Sequence, residues 1–121
     1  MRRVYLAARF ERQAELKELA RLMRAEGYTI TGRWLEADGL ALRRTPAGAY
    51  RCAAKDLDDV CLAEALVLFT DANPVSRGGS NVELGHALAL GKRCARLLGG
   101  VDWGYEAPIV MTPIEPNQEK K

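Results

Sequence analysis

Short apolar runs alternate with amphipathic stretches along most of the chain. Residues 4–8 and 66–70 are apolar over the length of one strand, which is typical of strands buried in a parallel sheet. Residues 11–28 repeat apolar side chains with a period of about 3.6, and this period predicts a helix that ends at Gly27. Residues 28–34 alternate β-branched and aromatic side chains and therefore predict a second strand.

The second half of the chain continues this alternation. Residues 50–65 and 80–91 show helical patterns, and shorter apolar runs predict strands near residues 94–98 and 108–112. Residues 36–48 contain glycine and proline without a clear period, which predicts a loop that folds over a site. Because strands alternate with helices, we predict an α/β fold, a three-layer sandwich around a parallel five-stranded sheet.

Composition and charge narrow the class of protein. The 121 residues fit one domain, which we assign to residues 1–113, with a polar tail at residues 114–121. The net charge of +2 and the scattered arginines give no basis for nucleic-acid or membrane partners. The three cysteines lack C-x-x-C spacing and the single histidine, His86, has no partners at ligand spacing, so we expect neither disulfides nor a metal site. No signal peptide or apolar run of roughly 20 residues is visible, so we expect a cytoplasmic protein.

Ligands of parallel α/β sheets bind beyond the carboxyl ends of the strands. Three segments should meet at that edge: "AARF" after the first strand, "DANPVSRGGS" after the third, and the loop after Trp34. Arg9 and Arg77 could bind a phosphate there, or both could be ordinary solvated arginines. The ligand-binding candidates at this edge are Ala7, Arg9, Phe10, Trp34, Asp71, Arg77, Gly79 and Ser80.

Glu83 has two interpretations. It shares a helix face with Ala87 and Leu90, so its carboxylate should point toward the packed side. The glycines and polar residues before it would leave backbone N–H groups for an anionic or polar ligand. Ser80 and Glu83 also fit the capping box S-x-x-E, which would stabilise the helix by about 1 kcal/mol. Spacing alone leaves a catalytic role and a capping role equally open.

The second candidate carboxylate lies in "KDLDDV", on the helix before the central strand. Asp56 and Asp59 are three residues apart and share a face, whereas Asp58 points elsewhere. Alternatively, these aspartates form a solvated acidic face. The pattern alone does not show which of the three aspartates has a function. With Glu83, one such carboxylate would suit chemistry at an anomeric carbon: one group attacks or stabilises an oxocarbenium-like centre, and a second assists the leaving group.

At these positions the sequence resembles the nucleoside 2-deoxyribosyltransferases and the related nucleoside 5′-monophosphate N-glycoside hydrolases. "VYLAARF" is similar to the opening strand and loop of that family, usually Y-x-A-G-x-F, and "KDL" to its helix aspartate. "EALVLFTDA" is similar to the apolar strand that ends in an acidic residue. "GGSNVELGHALALGK" follows the pattern G-x-x-x-E-x-G-x-A-x-x-x-G-K and is the most specific of the four. Together these stretches cover residues 4–98.

The resemblance implies a flavodoxin-like (Rossmann-like) fold, a homodimer or larger oligomer, and no metal or organic cofactor. It implies that Glu83 is the nucleophile on C1′ of the sugar, that Asp56 engages the base or sugar and helps proton transfer, and that Tyr5 orients Glu83. The expected function is cleavage of the N-glycosidic bond of a (2′-deoxy)nucleoside or a nucleoside 5′-monophosphate. A covalent glycosyl-Glu83 intermediate would then pass the sugar to another base or to water.

Two departures from the family pattern keep other functions open. Ala8 and Arg9 stand where the family often has Gly-Pro, which favours a non-catalytic module that binds a nucleotide or a nucleotide-derived signal. Arg77 lies near a position where the transferases often have an acidic residue and the hydrolases a small hydroxyl residue. With Arg9 it favours a phosphorylated ligand. Cleavage of a nicotinamide dinucleotide is a third possibility, because it uses similar glycosidic chemistry.

Overall fold

The computed structural model describes residues 2–36, 45–70, 79–98 and 110–114, which contain a five-stranded sheet. The strands are β1 Arg3–Ala7, β2 Thr29–Ile30, β3 Ala65–Thr70, β4 Arg93–Leu98 and β5 Val110–Ile114. They lie in the order β2-β1-β3-β4-β5, so β1 and β3, the two most apolar segments, occupy interior positions.

The direction of the last strand differs from the prediction. β1 to β4 pair in parallel, whereas β5 is antiparallel to β4. The expectation of five parallel strands is therefore wrong at β5. The pairs run from Cys94 with Ile114 to Leu98 with Val110, so the chain returns alongside β4 in the opposite direction. β5 ends at Ile114, the first residue of the predicted tail.

The described residues contain three α-helices: α1 Gln13–Ala25, α2 Pro46–Leu62 and α3 Gly79–Ala89. The predicted stop of α1 at Gly27 is confirmed, since this glycine has a φ of 98°. α2 begins inside the predicted loop, because the Thr45 hydroxyl accepts the Gly48 N–H at 3.0 Å and proline suits the first helical turn. Within these residues no helix is long and apolar enough to cross a membrane.

The second predicted strand is confirmed in part as β2, and the end of the predicted range lies in a 3₁₀ turn. After β2 the chain turns into a 3₁₀ segment at Arg33–Glu36. The backbone N–H of Arg33 donates to the side chain of Asp59 at 2.8 Å instead of to a neighbouring strand. Trp34, which was expected on a strand, is therefore buried by this turn.

Both faces of β1 are covered by other elements. Consecutive side chains of a strand point to opposite faces, and residues 4–7 are all buried. α2 packs against α3 and both contact β1, while α1 contacts β2 and the Arg33–Glu36 turn. These contacts confirm the predicted α/β class with helices against a mostly parallel sheet.

A topological switch point lies between β1 and β3. From β1 the chain first reaches β2 on one side, and later places β3 on the other side of β1. Ala7 and Leu68 are paired in register near the carboxyl ends of the two strands. The segments that follow β1 and β3 therefore leave the sheet next to each other, which is the usual position of a ligand site in this class of fold.

Candidate active site

Tyr5 lies at the centre of the candidate site. It is in the middle of β1, is fully buried, and its hydroxyl makes no hydrogen bond of regular geometry with the residues that the structure describes. Burial raises the pKa of Tyr5 far above its usual value, and the charges of Glu83, Asp56 and, to the smallest extent, Asp59 raise it further. A weaker side-chain hydrogen bond to Glu83 has the same effect on that pKa. Tyr5 therefore stays protonated, and its O–H is a donor that faces two carboxylates.

Glu83 reaches Tyr5 from α3. It is half-buried, and Ala87, one turn later, is fully buried, so the predicted inward face is confirmed for these two residues. Leu90 does not share that burial, because α3 ends at Ala89 and Leu90 is exposed. In the described residues α3 begins at Gly79 and Ser80 is helical, and the capping role of Ser80 and Glu83 stays a prediction.

Asp56 reaches the same tyrosine from α2. It is only 7% exposed, although carboxylates are rarely buried to this extent. Asp58 is exposed, and Asp59 is buried, so the predicted division of the acidic run into a shared face and an outward residue is confirmed. Three elements thus bring together Tyr5, Asp56 and Glu83, the three residues that the sequence singled out for catalysis.

Asp59 has a different set of partners. Its two carboxylate oxygens accept hydrogen bonds from the Arg33 backbone N–H at 2.8 Å and from Arg33 Nε at 2.9 Å. Its backbone carbonyl accepts the Thr31 hydroxyl at 2.9 Å. The carboxylate raises the pKa of the Arg33 guanidinium by hydrogen bonding and by its charge. Asp59 therefore holds residues 31–33 against α2.

Trp34 forms a wall beside Tyr5. Its indole N–H donates to the Leu6 carbonyl at 2.9 Å, and the ring is only 5% exposed. A Cβ placed on Gly32 would lie 3.0 Å from Trp34 Cδ1 and 3.3 Å from Tyr5 Cε2, so only glycine leaves room between the two rings. The ring of Phe10 is tilted against Trp34, with 6.2 Å between centroids. The predicted binding residues Trp34 and Phe10 therefore pack together near Tyr5.

The other predicted binding residues are only partly described. Ala7 is fully buried at the end of β1, and Arg9 is exposed just beyond it. Gly79 and Ser80 form the first described turn of α3, and the binding of a ligand by their backbone N–H groups stays a prediction. Asp71 and Arg77 lie outside the described residues, so the pairing of Arg9 with Arg77 stays a prediction.

Arg12 was not singled out from the sequence. It is buried, and its guanidinium makes two hydrogen bonds to Glu15, Nε at 3.0 Å and Nη2 at 2.8 Å. The guanidinium also lies 5.7 Å from the centroid of the Phe69 ring. The spacing of Arg12 and Glu15 at i and i+3 was the available signal, but such pairs are usually exposed. Among the described residues no group of three potential ligands could hold a metal ion.

Comparison with known proteins agrees with this geometry. No family model matches the chain, and no curated protein sequence matches it significantly. The CMP N-glycosidase BcmB of Clostridium botulinum is 25% identical, with a TM-score of 0.55 over 80% of this chain and 68% of that chain. A 2-deoxyribosyltransferase of Bacillus psychrosaccharolyticus is 19% identical, with a TM-score of 0.64 over 83% of this chain and 74% of that chain.

The chain has the fold of these enzymes. The resemblance to the deoxyribosyltransferases and nucleotide N-glycosidases that the sequence motifs indicated is therefore confirmed at the level of structure.

Proposed function

We propose that the protein cleaves the N-glycosidic bond of a (2′-deoxy)nucleoside or a nucleoside 5′-monophosphate, with Glu83 as the nucleophile. The observation that carries this proposal is the buried Tyr5 hydroxyl beside the carboxylates of Glu83 and Asp56. A glycosidic site of the retaining kind needs two carboxyl groups with different roles. The three residues lie close to the switch point of the sheet, where ligands of this fold class bind.

In the first chemical step the carboxyl groups of Glu83 and Asp56 have different roles. A carboxylate oxygen of Glu83 attacks C1′ of the sugar, and the electron pair of the C–N bond moves to the base. Asp56 supplies the proton that the departing base needs, as a general acid. The protonated Tyr5 donates a hydrogen bond to Glu83, which holds the attacking carboxylate in one orientation. The product of this step is a sugar ester of Glu83 and a free base.

The second step releases the sugar. Asp56, now ionised, takes a proton from water or from an acceptor base, and the oxygen or nitrogen so activated attacks C1′. Water gives hydrolysis, and a base gives transfer. The similarity to a CMP N-glycosidase and to a 2-deoxyribosyltransferase supports both outcomes equally. Exposed Arg9 beside the end of β1 supports a ligand with a 5′-phosphate.

Substrate panels test this proposal directly. The full chain would be incubated with ribonucleosides, deoxynucleosides and their 5′-monophosphates, each with and without a second base, and released or exchanged base would be measured by chromatography. We expect turnover of at least one class, and a fall of at least about 10³-fold in Glu83→Gln, because the amide cannot act as the nucleophile. The matched control is Val82→Ala, since Val82 is the exposed neighbour of Glu83 on α3.

A trapping experiment tests the covalent step separately. A nucleoside with fluorine at C2′ slows breakdown of a glycosyl ester, so the wild-type chain should gain the mass of the fluorosugar on the peptide that contains Glu83. The Glu83→Gln chain should gain none. Label on another peptide, or turnover that survives in Glu83→Gln, would refute the assigned nucleophile. Tight binding of a nucleotide that is recovered unchanged would instead favour the non-catalytic binding module.

A further inference from the structure

Cys61, His86 and Lys92 form a second cluster away from the candidate active site. Cys61 is the penultimate residue of α2, and its Sγ lies 3.3 Å from His86 Nε2 on α3. The ammonium of Lys92 donates to the Cys61 carbonyl at 2.9 Å. α2 ends just before β3 begins, so this cluster lies at the amino edge of the parallel strands, opposite the edge where the candidate site opens.

The three cysteines of the chain have distinct environments. Cys94 is buried in β4, and burial raises the pKa of its thiol. Cys52 is half-buried on α2. Cys61 is exposed, and among the three it is the one in contact with an imidazole. The chain therefore carries its own two comparison thiols.

The contacts of Cys61 suit thiol chemistry. The thiolate is the reactive form of cysteine, and a neighbouring imidazole can take the thiol proton and remain beside the sulfur as a cation. The Lys92 ammonium adds a second positive charge at the same helix end. An exposed thiol with two adjacent basic groups can meet small anionic reagents from solvent.

We propose that Cys61, paired with His86, is a reactive thiol that exchanges with low-molecular-weight disulfides to form a mixed disulfide. His86 takes the proton of the Cys61 thiol, and the thiolate attacks one sulfur of the small disulfide. The bond between the two sulfurs of the reagent breaks, and a new bond forms between Cys61 Sγ and the attacked sulfur. The departing sulfur is reduced and takes the proton from His86 as a free thiol, while the Cys61 sulfur is oxidised.

Glutathione disulfide is the probe for this exchange. The folded chain would be mixed with it, quenched at intervals, and mapped by peptide mass spectrometry at each cysteine. We expect Cys61 to react about tenfold or more faster than Cys52, and Cys94 to stay reduced while the chain is folded. The preference should vanish in denaturant, where all three thiols have the same surroundings. Equal rates for Cys61 and Cys52 in the folded chain would overturn the proposal.

His86→Gln separates the imidazole from simple exposure. The Gln amide can reach toward Cys61 but cannot accept its proton, so Cys61 should slow by about tenfold while Cys52 keeps its rate. Circular dichroism would check that the variant is folded. If it is not, the same comparison is made in folded His86→Asn, whose amide likewise cannot accept the proton. An unchanged Cys61 rate in folded His86→Gln would refute the role of His86.

Discussion

Asp56 and Asp59 lie one turn apart on the same buried face of α2, yet their surroundings assign them different work. Asp59 is held by Arg33 through its carboxylate and by Thr31 through its carbonyl. Asp56 raises the pKa of the buried Tyr5 hydroxyl more than Asp59 does, and the charge of Glu83 acts on the same hydroxyl. The contacts of Asp59 with Arg33 stabilise the fold, whereas Asp56, close to Tyr5 and Glu83, is the carboxylate that the proposed function uses.

The largest expected effect is the loss of turnover when Asp56 is changed. Asp56→Asn should lower the turnover of whichever substrate the wild type cleaves by about 10²–10⁴-fold, because the amide cannot deliver or take a proton. Circular dichroism would check that the variant is folded, so that a loss of turnover is not a loss of structure. Asp58→Asn, an exposed change on the same helix, is the control and should keep wild-type turnover. Full activity in Asp56→Asn would end the distinction between the two carboxylates.

A change at Asp59 should lower the stability of the fold rather than the turnover. Asp59→Ala removes the acceptor of the Arg33 N–H and of its guanidinium, so the free energy of unfolding should fall by about 1–3 kcal/mol. Because Arg33 is largely exposed, it can be solvated after the change, and the loss should stay below that of a fully buried ion pair. Denaturant titration measures the loss. If Asp59→Ala were as stable as the wild type while its turnover collapsed, Asp59 would belong to the chemistry.

The smallest expected effect concerns Tyr5. It is a dependence of the free energy of unfolding on pH. The folded-state pKa of Tyr5 is raised, so its contribution to stability is complete below the unfolded value of about 10 and is lost as pH rises above it. Above that pH the free energy of unfolding should fall by about 1.4 kcal/mol per pH unit for this one proton. Tyr5→Phe should remove that part of the slope in parallel denaturant titrations. Identical slopes for both chains would mean that Tyr5 does not titrate differently on folding.

The hydrophobic pattern of the sequence predicted which helices and strands lie near the site better than it predicted the residues at which they begin and end. The strands that became β1, β3 and β4 and the helices that became α1 and α3 were all expected from periodicity, because each buries one face or both against the sheet. The second predicted strand was confirmed at Thr29–Ile30, but its end forms a 3₁₀ turn because Arg33 bonds to Asp59, which lies 26 residues away in sequence. A local sequence pattern does not reveal a contact between residues that lie so far apart in the chain.

At the candidate site, too, the sequence indicated which residues to consider but not which contacts their side chains make. Spacing left the roles of Glu83 and Asp56 open and the resemblance to a family chose them, and both lie near Tyr5. Trp34 was expected among the binding residues, and its indole N–H is bonded to Leu6 in the interior. Arg12 was passed over, because an arginine and a glutamate at i and i+3 look the same in sequence whether the pair is exposed or buried.

The sequence by itself determined the α/β class and predicted the edge of the sheet where a ligand would bind, because both follow from periodicity and from the order of strands and helices, which are properties of neighbouring residues. The carboxylates worth testing there were chosen by the resemblance to a family, since the pattern left their roles open. Only the tertiary structure decided that Asp59 binds Arg33, that the charge of Asp56 affects Tyr5 more strongly than that of Asp59, that β5 runs antiparallel, and that Cys61 meets His86. Each of those depends on which distant segments pack together, because the same side chain has different chemistry beside a cation, a carboxylate or an imidazole.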